Sequence, residues 1–308
     1  MCGHFFFRHP LPLPHPLPKK GRGGSLWYLV SGIRHLASCF WYLAPGILFL
    51  LFSLPGFTQC FNGNTAFGPG EEASYEVSFN FGPIWIDGGI VNFKSEMVKF
   101  RGKDTWHLLV SGHTYPSYEI FYRVHDYYES WVDPESFRPI EFRRNILEGG
   151  YTLLNTMYFD YSRQWVLSNT KRKQDAVVTD TLRPGPCAFD MLTSVYFTRA
   201  MDLANLPLYK KIPVKVLIDD SIYNIYIRNM GKEIVESRDG TKYHCIKYAA
   251  KMVTGTIFTG GEDVNVWLTD DENKIPIYVE AKIILGSVKA YLKETKGLLN
   301  PMSARIKN

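Results

Sequence analysis

The sequence predicts a mainly β fold: a strongly curved antiparallel sheet or open barrel packed on one internal helix at about 190–202, with a two-sheet β-sandwich as the alternative. Three observations predict it. From Glu72 onward, apolar and polar residues alternate in short runs rich in Tyr, Phe, Val and Ile, the period-2 signature of half-buried strands. Turn signals bearing Gly, Pro or Asp separate these runs at the roughly 8–12-residue spacing of antiparallel β domains. One stretch alone changes to helical spacing.

The elements follow in order. Tyr75, Val77, Phe79 and Phe81 alternate with Ser74, Glu76, Ser78 and Asn80 in a first strand. Gly88-Gly89 opens a second at 90–100, and Arg101-Gly102-Lys103-Asp104 turns the chain into a third at 106–112. Residues 118–131 read as one long aromatic strand region ended by Asp133-Pro134. Strands at 142–147 and 151–158 flank Glu148-Gly149-Gly150, a hairpin by its glycines, and 164–169 continues the series. After Arg183-Pro184-Gly185-Pro186 the period changes. Leu192, Val195, Tyr196 and Arg199 share one face at helical spacing, Asp190 is placed as the N-cap, and Pro207 closes the excursion. A second strand set occupies 214–218, 222–228, 232–235, 243–251, 264–268, 276–284 and 287–292, with Arg238-Asp239-Gly240-Thr241 as a hairpin turn. No unit of 20–50 residues repeats, which argues against a solenoid or propeller.

The N-terminal part has a different character. Residues 1–35 form a basic, Pro-rich leader (Pro10-Leu11-Pro12-Leu13-Pro14), read as a disordered extension or as sequence upstream of the true start. Residues 36–59 carry an apolar tract centred on Ile47-Leu48-Phe49-Leu50-Leu51-Phe52 behind Lys19, Lys20, Arg22 and Arg34, the parts of a secretory signal. A retained membrane anchor is the competing reading, since about 20 apolar residues span a bilayer, although Pro45 and Pro55 interrupt the tract. Residues 60–308 are then a single exported β domain.

Charge and cysteines narrow the function classes. The formal charge of +5 arises before residue 60; the remainder carries 30 Lys/Arg against 30 Asp/Glu. A nucleic-acid partner, which needs a basic surplus, is therefore not expected. Cys60, Cys187 and Cys245 fall in the exported part. An oxidising compartment permits a Cys187–Cys245 bridge, two buried thiols being the alternative. The sequence lacks a C-x-x-C, a G-x-S-x-G elbow, an H-E-x-x-H helix and a Walker loop, so no catalytic residue, metal ligand or cofactor is assigned.

Several stretches, taken in order, resemble a known family. They are Gly70-Glu71 with Tyr75, Gly88-Gly89, the Asp-x-x-x-Ser-x-Tyr-x-x-Arg segment of Asp190, Ser194, Tyr196 and Arg199, the Trp-x-x-Asp-Asp turn of Trp267 and Asp271, and Leu285-Gly286-Ser287-Val288. Over about 68–296 they are similar to the exported bacterial "domain of unknown function 3108" family of Gram-negative envelopes. The resemblance implies export and a mostly β fold, with a periplasmic or outer-membrane address. It implies no reaction.

Asp190, Ser194, Tyr196, Arg199, Trp267 and Asp271 are the candidate ligand-binding or structural polar network. Arg199 lies on the apolar helix face, and a buried arginine needs an acidic partner; Asp271 is one candidate. The leading functional reading is non-enzymatic binding of a hydrophobic or lipid-like ligand in a β-groove. The alternatives are an envelope hydrolase of glycan or lipid, or an assembly partner. Membrane association through an uncleaved N-terminal segment is a further expectation.

Overall fold

Alternating side chains from Glu71 onward form a sheet that grows by hairpins in sequence order. In the computed structural model, residues 61, 63–81, 84–202, 205–252, 261–283 and 286–307 are described, all within the unit Gln59–Asn308. The leader 1–35 and the apolar tract lie outside the described residues. The first half comprises β1 (Glu71–Phe81), β2 (Ile84–Phe100), β3 (Lys103–Thr114), β4 (His125–Val132), β5 (Pro139–Glu148), β6 (Tyr151–Asp160), β7 (Trp165–Arg172) and β8 (Val178–Leu182). A short strand β9 (Ala188–Asp190) leads into the helix α1 (Met191–Ala200). The second half comprises β10 (Lys211–Ile218), β11 (Ser221–Glu236), β12 (Lys242–Met252), β13 (Gly261–Thr269), β14 (Pro276–Ile283) and β15 (Gly286–Lys296).

All fifteen strands belong to one sheet, in the order β8-β7-β6-β5-β4-β3-β2-β1-β15-β14-β13-β12-β11-β10-β9. The mainly β class and the curved, unclosed sheet agree with the expectation; the two-sheet sandwich does not form. One pair departs from antiparallel order. β9 runs parallel to β10, because α1 makes the crossover that a parallel pair requires. The sheet curls around α1, which touches β3 and β4 on one arm and β9 and β10 on the other. The main core fills that interior: Trp106, Leu108, Val132, Phe142, Met157 and Val166 from β3–β7 meet Leu192 and Tyr196 of α1 and Leu217 of β10.

Three sequence expectations need correction. Residues 118–131 are not one strand; β4 starts at His125, and Tyr115–Val124 is a loop containing a single α-like turn, with Tyr122 N–H donating to the Tyr118 carbonyl at 3.0 Å. Residues 222–228 and 232–235 are one strand, β11, carrying a bulge between Asn229 and Gly231. Gly231, at φ +106°, absorbs the extra residue. Gly88-Gly89 lies inside β2 rather than before it. A Cβ on Gly89 would sit 2.3 Å from the His113 carbonyl oxygen, so the close approach of β3 demands glycine there. Of the two open cysteine readings, a Cys187–Cys245 bridge or two buried thiols, neither holds. Cys245 is a free, fully buried thiol, whereas Cys187 is disulfide-bonded.

Candidate functional site

The helix is fixed at both ends before it offers any surface. At its start, Asp190 is fully buried and caps α1: its carboxylate accepts from the Thr193 N–H at 2.8 Å and the Thr193 hydroxyl at 2.6 Å. The same carboxylate accepts from Ser130 Oγ of β4 at 2.7 Å, so the cap also ties the crossover to the opposite arm. Burial pushes the Asp190 pKa up, against the pull of these donors.

At its other end, Arg199 is buried and forms a fork with Glu71 of β1. Nη1 reaches Oε1 at 2.6 Å and Nη2 reaches Oε2 at 3.1 Å. Nη2 also donates to the carbonyls of Asn273, at 2.9 Å, and Ala66, at 3.3 Å. Burial opposes the charge, and the hydrogen bonds and charge of Glu71, helped by Tyr196 and Tyr75, together outweigh it, holding the guanidinium above the ordinary arginine value. Tyr196 lies beside this pair, edge-on to Phe67 at 4.8 Å. Arg199 does have an acidic partner in the sheet, but it is Glu71 rather than Asp271.

Asp271 instead organises its own turn. It accepts from Thr269 Oγ1 at 2.7 Å and from the N–H groups of Asn273 and Ala304 at 3.1 Å. Asn273, fully buried and missed by the sequence reading, links that turn to Arg199 through its carbonyl and to the Asn300 carbonyl through Nδ2 at 3.0 Å. Trp267 faces away from the helix. Its indole donates to Glu233 at 2.7 Å and stacks on Tyr278.

The strand period turns Val266 and Leu268, the neighbours of Trp267, toward α1. Together with Val216, Ile218, Ile225, Ile227, Tyr248 and Val264 they face Met191, Ser194, Val195 and Thr198 of the helix across a groove of about 290 Å³. Val195, expected on the buried face, is 42% exposed and borders this groove; Thr193 is buried in its place. The two helix hydroxyls that could make the groove polar are turned back on the helix. Ser194 Oγ donates to the Met191 carbonyl at 2.7 Å and Thr198 Oγ1 to the Ser194 carbonyl at 2.9 Å. The lining is thus mostly aliphatic, with Tyr248 as its one aromatic and Arg199 and Lys251 at its borders. Of the six residues singled out, Ser194 and Arg199 border the groove, Asp190 and Tyr196 brace the helix behind it, and Trp267 and Asp271 lie elsewhere. The aliphatic lining carried no sequence signal beyond ordinary strand composition.

A more open hollow of about 670 Å³ lies at the far end of α1, lined by Phe61, Asp202, Asp270, Asp271, Glu272 and Lys274 among others. Its aspartates serve local structure: Asp270 pairs with Lys232 at 2.6 Å and Asp202 accepts from Asn205 at 2.8 Å. Neither His nor Cys lines it.

Comparison with known proteins now bears on the chain. The family model described as "Protein of unknown function (DUF3108)" matches residues 74–293. The chain belongs to the DUF3108 family. Its match spans β1 to β15 and so includes α1, the groove and the Glu71-to-Arg199 anchor apart from Glu71 itself. Among solved structures, the DUF3108 chain is similar to a crystal structure from Brucella abortus titled as a beta-barrel-like protein of domain of unknown function DUF1849. The TM-score is 0.49 and the identity 8%, covering 75% of this chain and 99% of that one. A search of curated proteins found no match.

Proposed function

We propose that this protein binds a hydrophobic, lipid-like ligand, without catalysis, in the groove between α1 and strands β10–β13. One observation carries the reading: a groove of about 290 Å³ whose walls are mostly Val, Ile, Leu and Met and whose two helix hydroxyls, Ser194 and Thr198, are bonded to the helix's own backbone. That volume is near the lower end of small-molecule sites, roughly 300–1,000 Å³, and suits one apolar chain or a small ring system. A mostly aliphatic wall offers few directed hydrogen bonds, so it selects chiefly by shape and apolarity. The Arg199 fork is satisfied by Glu71 and backbone carbonyls, which supports a structural role for it rather than recognition of an anionic head group.

The hydrolase alternative would need a nucleophile beside a base, or two free carboxylates facing each other. The aspartates of the acidic hollow are already engaged in turns and ion pairs, which leaves Glu272 without a second free carboxylate facing it and favours the binding reading. For the address we propose export to an oxidising compartment, the envelope of a Gram-negative cell. The apolar tract behind a basic segment and the disulfide-bonded Cys187 support it.

Mass spectrometry of small molecules extracted from the purified full-length chain tests the binding reading. An acyl chain or other apolar compound present in stoichiometric amount is the expected result. Repeated purification with an empty groove and no uptake of added fatty acid would overturn it.

A further inference from the structure

Five large apolar side chains stand in solvent at one end of the sheet. Ile120 is 86% and Phe121 83% exposed, with Tyr122, Ile84 and Trp85 also exposed. They belong to adjacent elements: the β1–β2 hairpin and the β3–β4 loop, joined by the Tyr115 N–H on the Gly88 carbonyl at 2.9 Å. We infer that this rim inserts into the interface of a lipid bilayer and is where an apolar ligand enters or leaves the protein; the second clause rests on the groove reading above.

The exposure is built into the fold. The loop is braced at its base from three sides. Tyr115 donates to Glu76 at 2.9 Å, Glu119 pairs with His125 at 2.8 Å, and the Gly149 N–H donates to the Arg123 carbonyl at 2.7 Å. A loop held this firmly cannot fold Ile120 and Phe121 back onto the sheet, so their hydration cost is retained in the free protein. They project from a loop and from the start of β2, an arrangement that suits a deformable apolar phase, since such a phase needs no matching pocket.

The surrounding chemistry fits an interface. Tyr122 and Trp85 are the amphipathic aromatics that prefer head-group depth. Arg123, exposed beside them and 3.4 Å from Glu119, can reach outward to head groups, while the Lys289 ammonium lies 4.2 Å from the Trp85 ring centre and 3.8 Å from Glu280. Asp87 and Glu148 lie on the same rim, so apolar burial rather than net charge drives the contact. The groove also extends to this end of the sheet. The upper ends of β10, β12 and β13, at Ile218, Lys251 and Val264, line it, and alternation of strand direction puts those ends level with the β1–β2 hairpin.

Hydrogen exchange of the full-length chain, with and without vesicles of phosphatidylcholine containing a minor share of phosphatidylglycerol, tests the inference by locating the contact. Slower exchange at 115–124 and 84–88 in the presence of vesicles is expected. In Ile120→Ser/Phe121→Ser, the lipid concentration for half-protection rises about tenfold or more, with the thermal unfolding curve unchanged because both side chains are exposed. Absence of protection in the wild type, equal protection in the double variant, or lipid-independent protection that grows with protein concentration would each overturn it, the last by showing a second copy as the occupant. Equilibrium binding of a dispersed fluorescent fatty acid separates the two readings. The rim variant retains it, and its loss in an otherwise vesicle-protected wild type would sink the groove and leave the rim standing.

Discussion

Arg199 shows how much one buried charge decides. Its guanidinium is held by Glu71, a residue 128 positions away, and by two backbone carbonyls. Removing one partner strands the other charge in the interior, which typically costs about 3–5 kcal/mol. Arg199→Met is therefore expected to lower stability by that order in urea unfolding, and Glu71→Leu combined with it to recover much of the loss. The sequence revealed that Arg199 faced inward and needed an acid. It could not reveal which acid, because pairing across the sheet depends on register and curvature rather than on spacing.

Asp126 is the second residue with a testable consequence. Burial, and then the neighbouring Glu148 carboxylate, push its pKa up to about 7, against the Leu147 N–H that donates to it. The folded protein keeps this proton until about pH 7, while the unfolded chain releases it near the ordinary aspartate value of about 4. The folded state binds more protons in that window, so the site's contribution to stability falls as pH rises through it. Asp126→Asn is expected to flatten that slope and to be more stable than wild type above about pH 7. Unfolding free energies at a series of pH values check it; an unchanged slope would contradict the assignment. Alkylation before and after denaturation is likewise expected to label Cys245 only once the fold opens, since burial pushes its thiol up to about 12.

At the level of elements, strands were legible where apolar and polar residues alternate, and illegible where composition misleads. The Tyr118–Tyr122 turn is as aromatic as a strand, but its side chains project from a loop. The bulge at Gly231 resembled a strand end because a lone glycine interrupts a strand pattern in either case. The groove was invisible, since its walls are the same Val and Ile that would fill a closed core. Two adjacent glycines give an element-scale prediction. Gly89→Ala drives a Cβ into the His113 backbone carbonyl and is expected to cost about 1–3 kcal/mol. Gly88→Ala meets only the Phe79 ring, which can turn aside, and should cost less. Equal losses in thermal unfolding would refute this account of the β2–β3 approach.

Across the whole molecule, the sheet leaves β8 and β9 unpaired with each other, and side chains draw the two arms together instead. Asp219, in the β10–β11 turn, pairs with Arg144 of β5 and lies 3.6 Å from Arg172 of β7; its carbonyl accepts from Ser168 Oγ at 2.7 Å. Such a closure holds the groove's upper end to its shape without sealing it. Asp219→Ala is expected to speed hydrogen exchange in β7, β8 and the β10–β11 turn and leave β1 and β2 unaffected.

Titration of the full-length chain with a fluorescent fatty acid, beside Ala250→Phe, tests the central claim most directly. Ala250 lines the groove, and a phenyl ring there fills the space a ligand would take. Saturable one-site uptake by the wild type, abolished or strongly weakened in a variant with an unchanged unfolding curve, is the expected result. Uptake by neither protein, or equal uptake by both, would contradict it.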